Sequence, residues 1–296
     1  MATTYIYGSY IIQDALFRAG ELTALSGTTS DYLEASKRYC LRAYYEFLKL
    51  YPYPFALKDP PGVISTYATV TGTAICTKGS ASVTLGVAVT PSMAGRKFQI
   101  DSQGIMYRIT AHTTGTTAVT LDATYKEDTV SGGAYTIFED EYTLASDCMK
   151  PWKFWYRNSP ETEIEIDSSS NLITCFPDRA STDCAPMKVA YVKGNKVRFS
   201  AYFDSAVSIE YEYTARPDAL SYDSSASTDT PVIPIEHRHI LADWVLYYLQ
   251  LDKNDSRANI TIQEINRNIA DLKQWYLPLS APRLTPKRGR SLAPTH

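Results

Sequence analysis

His237 and His239 stand two apart in the stretch EHRH, and only His112 and His296 join them in this 296-residue chain. Side chains two apart point to different sides of a helix, whereas a zinc-binding helix needs ligands four apart. The histidines therefore read as solvated or capping groups. FEDEY sets Glu139, Asp140 and Glu141 in a row. Strand alternation sends Glu139 and Glu141 to one face and Asp140 to the other. A calcium site needs further oxygen ligands from elsewhere. A glycosidase needs two carboxylates at a fixed separation, which a sequence does not supply. The row reads as a solvated strand end. Cys40, Cys76, Cys148, Cys175 and Cys184 are scattered, and no CxxC occurs. They read as reduced structural thiols, with Cys175 and Cys184 near enough in sequence to pair. No GxGxxG, Walker or GxSxG motif is present, and SGG at Ser131 to Gly133 reads as a turn. No catalytic centre, cofactor or metal is expected.

Two stretches have chemistry of a binding kind. PWKFWYRN interleaves Trp152, Phe154, Trp155 and Tyr156 with Lys153 and Arg157. Such a run stacks on bases or sugars in some proteins, but it more often forms core with cations reaching out to water. APRLTPKRGRSLAPTH, residues 281–296, holds Arg283, Lys287, Arg288 and Arg290 with three prolines and no acid. The chain as a whole carries a formal charge of -3, which argues against general nucleic-acid binding. Its 23 tyrosines suit strands and contact surfaces, since each buries a ring and keeps a polar tip. No apolar run approaches the roughly 20 residues that cross a bilayer. The start, MATTYIYGSYIIQDALFRAG, lacks a basic n-region, so synthesis in the cytoplasm is expected.

The elements that must position these residues differ between the ends and the middle. YIIQDALFRAG predicts a short helix stopped at Gly20. SGTTSDYLEASKRYCLRAYYEFLKLYPYP predicts a longer one, with Asp31 and Glu34 as a capping pair and Pro52 and Pro54 ending it. A third helix is expected from Pro234, with Leu241, Trp244, Val245, Tyr248 and Leu249 on its buried side. In the fourth, Ala258, Ile262, Ile265, Ile269, Leu272 and Tyr276 step by four and three. That seam belongs to an antiparallel bundle or to a self-associating coiled coil. From about residue 63 to 215 the period falls to two, in short Thr-, Val- and Tyr-rich runs broken by glycine and serine. DCMKPWKFWYRNSP reads as a linker within this region.

The expected fold is α+β, a discontinuous helical bundle from both chain ends with an inserted all-β, sandwich- or barrel-like region. The bundle takes 1–60 and 232–280, the β insertion 63–145, a second β region 155–215, an acidic loop 216–231, and an extended basic tail 281–296. Trp244, Leu241, Ile262, Ile265, Ile269 and Leu272 are the expected helix-packing residues.

The order of these features resembles tailed-phage head-to-tail connectors, the tail tubular A-like adaptor family. The matching pieces are the strand Ile209 to Tyr213, the turn Arg216–Pro217, the acidic stretch Asp223 to Asp229 and the helix opening at Pro234. YRI, TTAVTLDATY and YTIFEDEYTLASD also resemble a β module of phage virion proteins. The likeness covers nearly the whole chain at the level of pattern. It implies a structural protein of the virion neck, without catalysis, that forms a ring of about twelve subunits. The implied partners are other copies of itself, the portal protein and a downstream tail or nozzle protein, with no membrane. On this resemblance Arg283, Lys287, Arg288 and Arg290, held extended by Pro282 and Pro286, lie against an acidic portal groove. A loose end, and contact with DNA passing through the channel, are the other readings of that tail. Two rivals remain for the whole chain: a tail or decoration protein whose β module binds glycan or a receptor, and a wall-degrading hydrolase using surface carboxylates.

Overall fold

Short runs in which every second residue is apolar fill the middle of the chain, and they fold as strands. The computed structural model describes residues 8–21, 32–139, 141–167, 189–218, 220 and 230–276. The chain divides into two compact units, Lys58–Ala215 and Met1–Leu57 with Arg216–His296.

In the first unit six strands close a barrel. They are β2 (Val70–Cys76), β3 (Ser82–Val89), β4 (Lys97–Ile100), β5 (Tyr107–His112), β6 (Thr116–Leu121) and β7 (Val130–Phe138), in the order β2-β3-β6-β5-β4-β7. Alternation sends Ala74, Cys76, Val83, Leu85, Phe98, Ile100, Ile109, Val119 and Ile137 inward, all but dry. Closure leaves no strand edge unpaired, so the barrel manages its own hydrogen bonds.

The remaining strands form one sheet of seven. β1 (Gly62–Ser65), β13 (Ser208–Ala215), β9 (Cys148–Tyr156), β10 (Ser159–Ile166), β11 (Val189–Lys193), β12 (Lys196–Phe199) and β8 (Tyr142–Thr143) lie side by side in that order. The β10–β11 pair is parallel and the others are antiparallel. The barrel thus occupies the chain between β1 and β8. Aromatic rings fill the sheet's core: Phe154 meets Phe199 edge-on at 6.0 Å, and Phe203 packs between Phe199 and Tyr142. Gly62 lies opposite Tyr211, whose ring covers it; a Cβ there would sit 2.2 Å from the ring. PWKFWY, expected as a linker, is instead most of β9, paired along β13 from Ile209 to Ala215.

The second unit contains α1 (Gly8–Arg18), α2 (Leu33–Leu48), α3 (His239–Asp252) and α4 (Ala258–Tyr276). Gly20, at φ +76°, ends α1: the Gly20 and Glu21 N–H groups donate back to Phe17 and Leu16. Only glycine takes that left-handed turn without strain. α3 is buried on almost every side and packs against the other three helices. A helix apolar all round belongs at a centre. It starts later than Pro234 suggests: residues 235–237 form a single 3-10 turn, and the α-helix begins at His239. Asp31 lies outside the described residues, and Tyr32 caps α2 without a side-chain hydrogen bond.

The expected helical bundle with an inserted β region is therefore corrected. The protein is mostly β: among the described residues thirteen strands, gathered into a closed barrel and a seven-stranded sheet, stand beside four short α-helices. The reason is one of signal strength. A heptad seam is conspicuous in one long segment, whereas strands of two to nine residues each announce themselves faintly.

Candidate functional site

The residues singled out for chemistry are held in structural work. His112, in β5, accepts a hydrogen bond from the Met93 N–H at Nδ1 (3.0 Å) and faces the Thr116 carbonyl through Nε2 (3.1 Å). With Nδ1 accepting, Nε2 is the nitrogen placed to donate to the Thr116 carbonyl. The His237 ring meets Tyr276 edge-on at 5.6 Å, and burial lowers its pKa. His239 contacts the Glu236 carbonyl. Among the described residues no three His, Cys, Asp or Glu side chains gather as metal ligands. Cys40 and Cys76 are buried, Cys148 is half-buried, and none of the three is in a disulfide. Cys175 and Cys184 lie outside the described residues.

Glu139 and Glu141 line one charged cleft of about 270 Å³ with Lys97, Arg108, Lys196 and Arg198. Lys196 Nζ donates to Glu141 at 3.0 Å and Arg198 Nε at 2.9 Å. Burial opposes ionisation of Glu141, but the two cations outweigh it and hold its pKa down to about 2. Glu139 lies 3.6 Å from the buried Arg96. Asp140 lies outside the described residues. The aromatic run is built into β9: Phe154 is fully buried, Trp152 donates to Thr214 at 2.8 Å, and Trp155 donates to Glu210 at 3.1 Å.

In the helical unit the opening of α3 depends on a residue that the sequence reading passed over. Arg238 sits between the two histidines of EHRH, and it is buried. Its guanidinium donates to the carbonyls of Ile233 (2.7 Å) and Pro231 (3.0 Å), while Tyr44 Oη accepts from the Val232 N–H (2.8 Å). The Tyr44 bond ties the PVIP segment to α2, and the Arg238 bonds supply donors to that segment's own carbonyls ahead of the helix. The signal available in sequence was an arginine just after two prolines, where free carbonyls need donors.

A groove of about 560 Å³ runs between α2, α3 and α4. Tyr39, Arg42 and Glu46 line it from α2, Trp244, Tyr247, Tyr248, Leu251 and Asp252 from α3, and Ile262 from α4. Tyr248 donates to Glu46 at 2.8 Å, Tyr39 donates to Asp252, and the Arg42 guanidinium lies 4.9 Å from the Tyr248 ring centre. Burial and the Glu46 carboxylate together push the Tyr248 hydroxyl up to about 12. This is an aromatic trough with two carboxylates, suited to apolar and cationic side chains.

Of the expected packing residues, Leu241, Ile265 and Leu272 are fully buried, Trp244 is nearly so, and Ile262 and Ile269 are half-buried. Thr261 and Asn268 stand on the inner side of α4, bonded to Gln250 (2.7 Å) and Asp243 (3.3 Å) of α3. Large apolar side chains stay in water on this unit: Tyr10 and Phe17, seven apart on α1, and Ile260 and Trp275 on α4. Arg283, Lys287, Arg288, Arg290, Pro282 and Pro286 lie outside the described residues.

Residues 100–286 match the family model of the SU10 adaptor protein. The chain belongs to the SU10 adaptor family. The match runs from the end of β4 through β5, β6 and β7 of the barrel, α3, α4 and every strand of the seven-stranded sheet except β1, and it reaches Pro286. No curated protein matches the chain. Adaptors of this family are structural proteins of the phage virion that work with other head and tail proteins, and the family is not an enzymatic one. No described helix is long and apolar enough to cross a membrane.

Proposed function

We propose that this adaptor assembles as a ring of about twelve copies, docks on the portal and connects it to the tail. Membership of the adaptor family over residues 100–286 carries the reading. The exposed Tyr10 and Phe17 of α1 and Ile260 and Trp275 of α4 support it, because large apolar side chains left in water are available for contact with a partner. Leu241, Trp244, Ile262, Ile265, Ile269 and Leu272 hold the helices that present that surface. The basic segment 281–296 lies against an acidic portal groove through Arg283, Lys287, Arg288 and Arg290. One exposed ion pair is worth only about 0.2–1 kcal/mol, but symmetric repetition adds the contacts as avidity.

Native mass spectrometry of the protein mixed with its portal ring tests this, run beside a chain ending at Ser280. Cooperative addition of the full chain to about one copy per portal subunit, with loss in the shortened chain, is the expected result. If neither chain binds the portal, the docking reading fails. If both bind equally, the segment is not the anchor.

A further inference from the structure

We propose that before the portal arrives, the tyrosine-lined groove of the helical unit holds the protein's own basic segment, residues 282–290. Chemistry, charge and reach agree on this occupant. The groove is lined by the aromatic Tyr39, Tyr247, Tyr248 and Trp244 together with the aliphatic Leu251 and Ile262. Grooves of that kind take proline-bearing extended chains, because the chain is already stiff and loses little freedom on docking. Residues 282–290 contain Pro282 and Pro286.

Charge points the same way. Of the groove's charged side chains, Arg42 pairs with Glu46 at 2.8 Å, which leaves Asp252, held by the Tyr39 hydroxyl, as the one negative charge in excess, against four positive charges and no acid on the segment. Leu251 and Asp252 are at the C-terminal end of α3, where the helix dipole attracts cations. The Arg42 guanidinium already lies over the Tyr248 ring, which is the contact that an incoming arginine would repeat on a neighbouring ring.

Reach is sufficient within one molecule. Ile262 lies fourteen residues before the end of α4 at Tyr276, about 21 Å back along the helix. Residues 277–282, extended, cover about 20 Å, so Arg283 and its followers meet the groove. Docking within one chain proceeds at a high effective concentration, so weak contacts suffice. The consequence is a parked anchor: the portal must compete for a segment that the free adaptor holds against itself.

The test needs no portal, so its failure is separable from failure of the docking reading. A synthetic peptide of residues 281–296 is titrated into the chain ending at Ser280, with heat as the readout. Saturable binding is expected, weakened about tenfold when Arg283, Lys287, Arg288 and Arg290 of the peptide become alanine, a change that leaves the protein fold untouched. Glu46→Gln with Asp252→Asn in the protein should weaken it similarly, and Tyr247→Ala less. The full chain should bind the same peptide more weakly than the shortened one, because its own segment competes. A scrambled peptide of equal composition that binds as well, or equal binding to full and shortened chains, overturns the proposal. So does a groove variant that binds like the unaltered protein.

Discussion

The barrel and the helical unit bury polar groups on opposite plans. Inside the barrel Phe98 belongs to an apolar cluster with Ile100, Tyr107, Tyr135 and Ile137, and the buried cation of this unit, Arg96, stands outside that cluster beside Glu139. In the helical unit, Asp243 is 6% exposed at the centre of α3; it accepts from Arg18 of α1 at 2.7 Å and from Asn268 of α4 at 3.3 Å. Gln250 and Thr261 repeat the device two turns on. A closed ladder of backbone bonds fixes strand register by itself, so a barrel interior is free to be greasy. Helices have no such ladder between them, and four apolar faces pack in several registers. A buried polar pair permits only one of those registers, because every slipped arrangement leaves a charge without a partner. On this view the barrel is held by volume and the helices are held in place by specificity.

The largest expected effect tests the first half. Phe98→Ala removes a ring that is fully buried and 5.7 Å from that of Tyr135. It should cost about 3–5 kcal/mol in urea unfolding followed by near-ultraviolet circular dichroism. A cost under about 1 kcal/mol would mean that the barrel collapses readily around the gap, and packing volume would not be its mainstay.

Asp243→Asn tests the second half with a smaller expected loss, about 1–3 kcal/mol. The Arg18 side chain is 34% exposed and recovers part of its hydration when the carboxylate is gone, which keeps the cost below that of a sealed pair. The sharper readout is order. Amide exchange in α1 should accelerate more than in α2, since Arg18 is α1's polar tie to α3. Uniform acceleration in all four helices would remove the case for register control.

The same contrast explains what could be read in the sequence. The stop of α1 at Gly20 was legible because it rests on one residue with one conformational talent. The short strands of the barrel were legible as a group, through period two and turn residues, although closure was not. β9 was missed because it breaks two rules at once. It contains Pro151, which normally demotes a strand, and its aromatics do not alternate with polar residues. The structure accommodates the proline at an irregularity, where the register against β13 shifts between Glu212 and Tyr213. Arg238 was missed because its partners are backbone carbonyls, which leave no trace in composition. On α4 the six-residue seam reads as purely apolar, but Thr261 and Asn268 face α3 because Gln250 and Asp243 wait there, a pairing that only three dimensions reveal. The tyrosine groove joins residues of α2 to residues of α3 and α4 at the far end of the chain, so no local pattern announces it.

The charged cleft of the β unit gives the smallest effect and the finest test of the contrast. If charge does not set the fold of the β unit, the Glu141 cluster should add stability without specifying the fold. Glu141 ordinarily ionises near 4.5, but in the folded protein its pKa is held down to about 2. A folded-state value below the unfolded one means that the carboxylate stabilises the protein above about pH 4.5. That contribution is then lost as pH falls from 4.5 towards 2. Glu141→Gln removes the titrating group, so the variant should be modestly less stable than the unaltered protein at pH 7. The difference should shrink steadily over that window, as read from unfolding midpoints at stepped pH. The barrel's aromatic dichroism should stay unchanged throughout, because Phe98 and Tyr135 are buried in the barrel and do not line the cleft. A constant difference from pH 7 to 2 would mean that Glu141 acts by shape rather than charge. A variant that loses its barrel signal would mean that the cleft specifies the fold, as Asp243 does for the helices, and the contrast between the two units would fall.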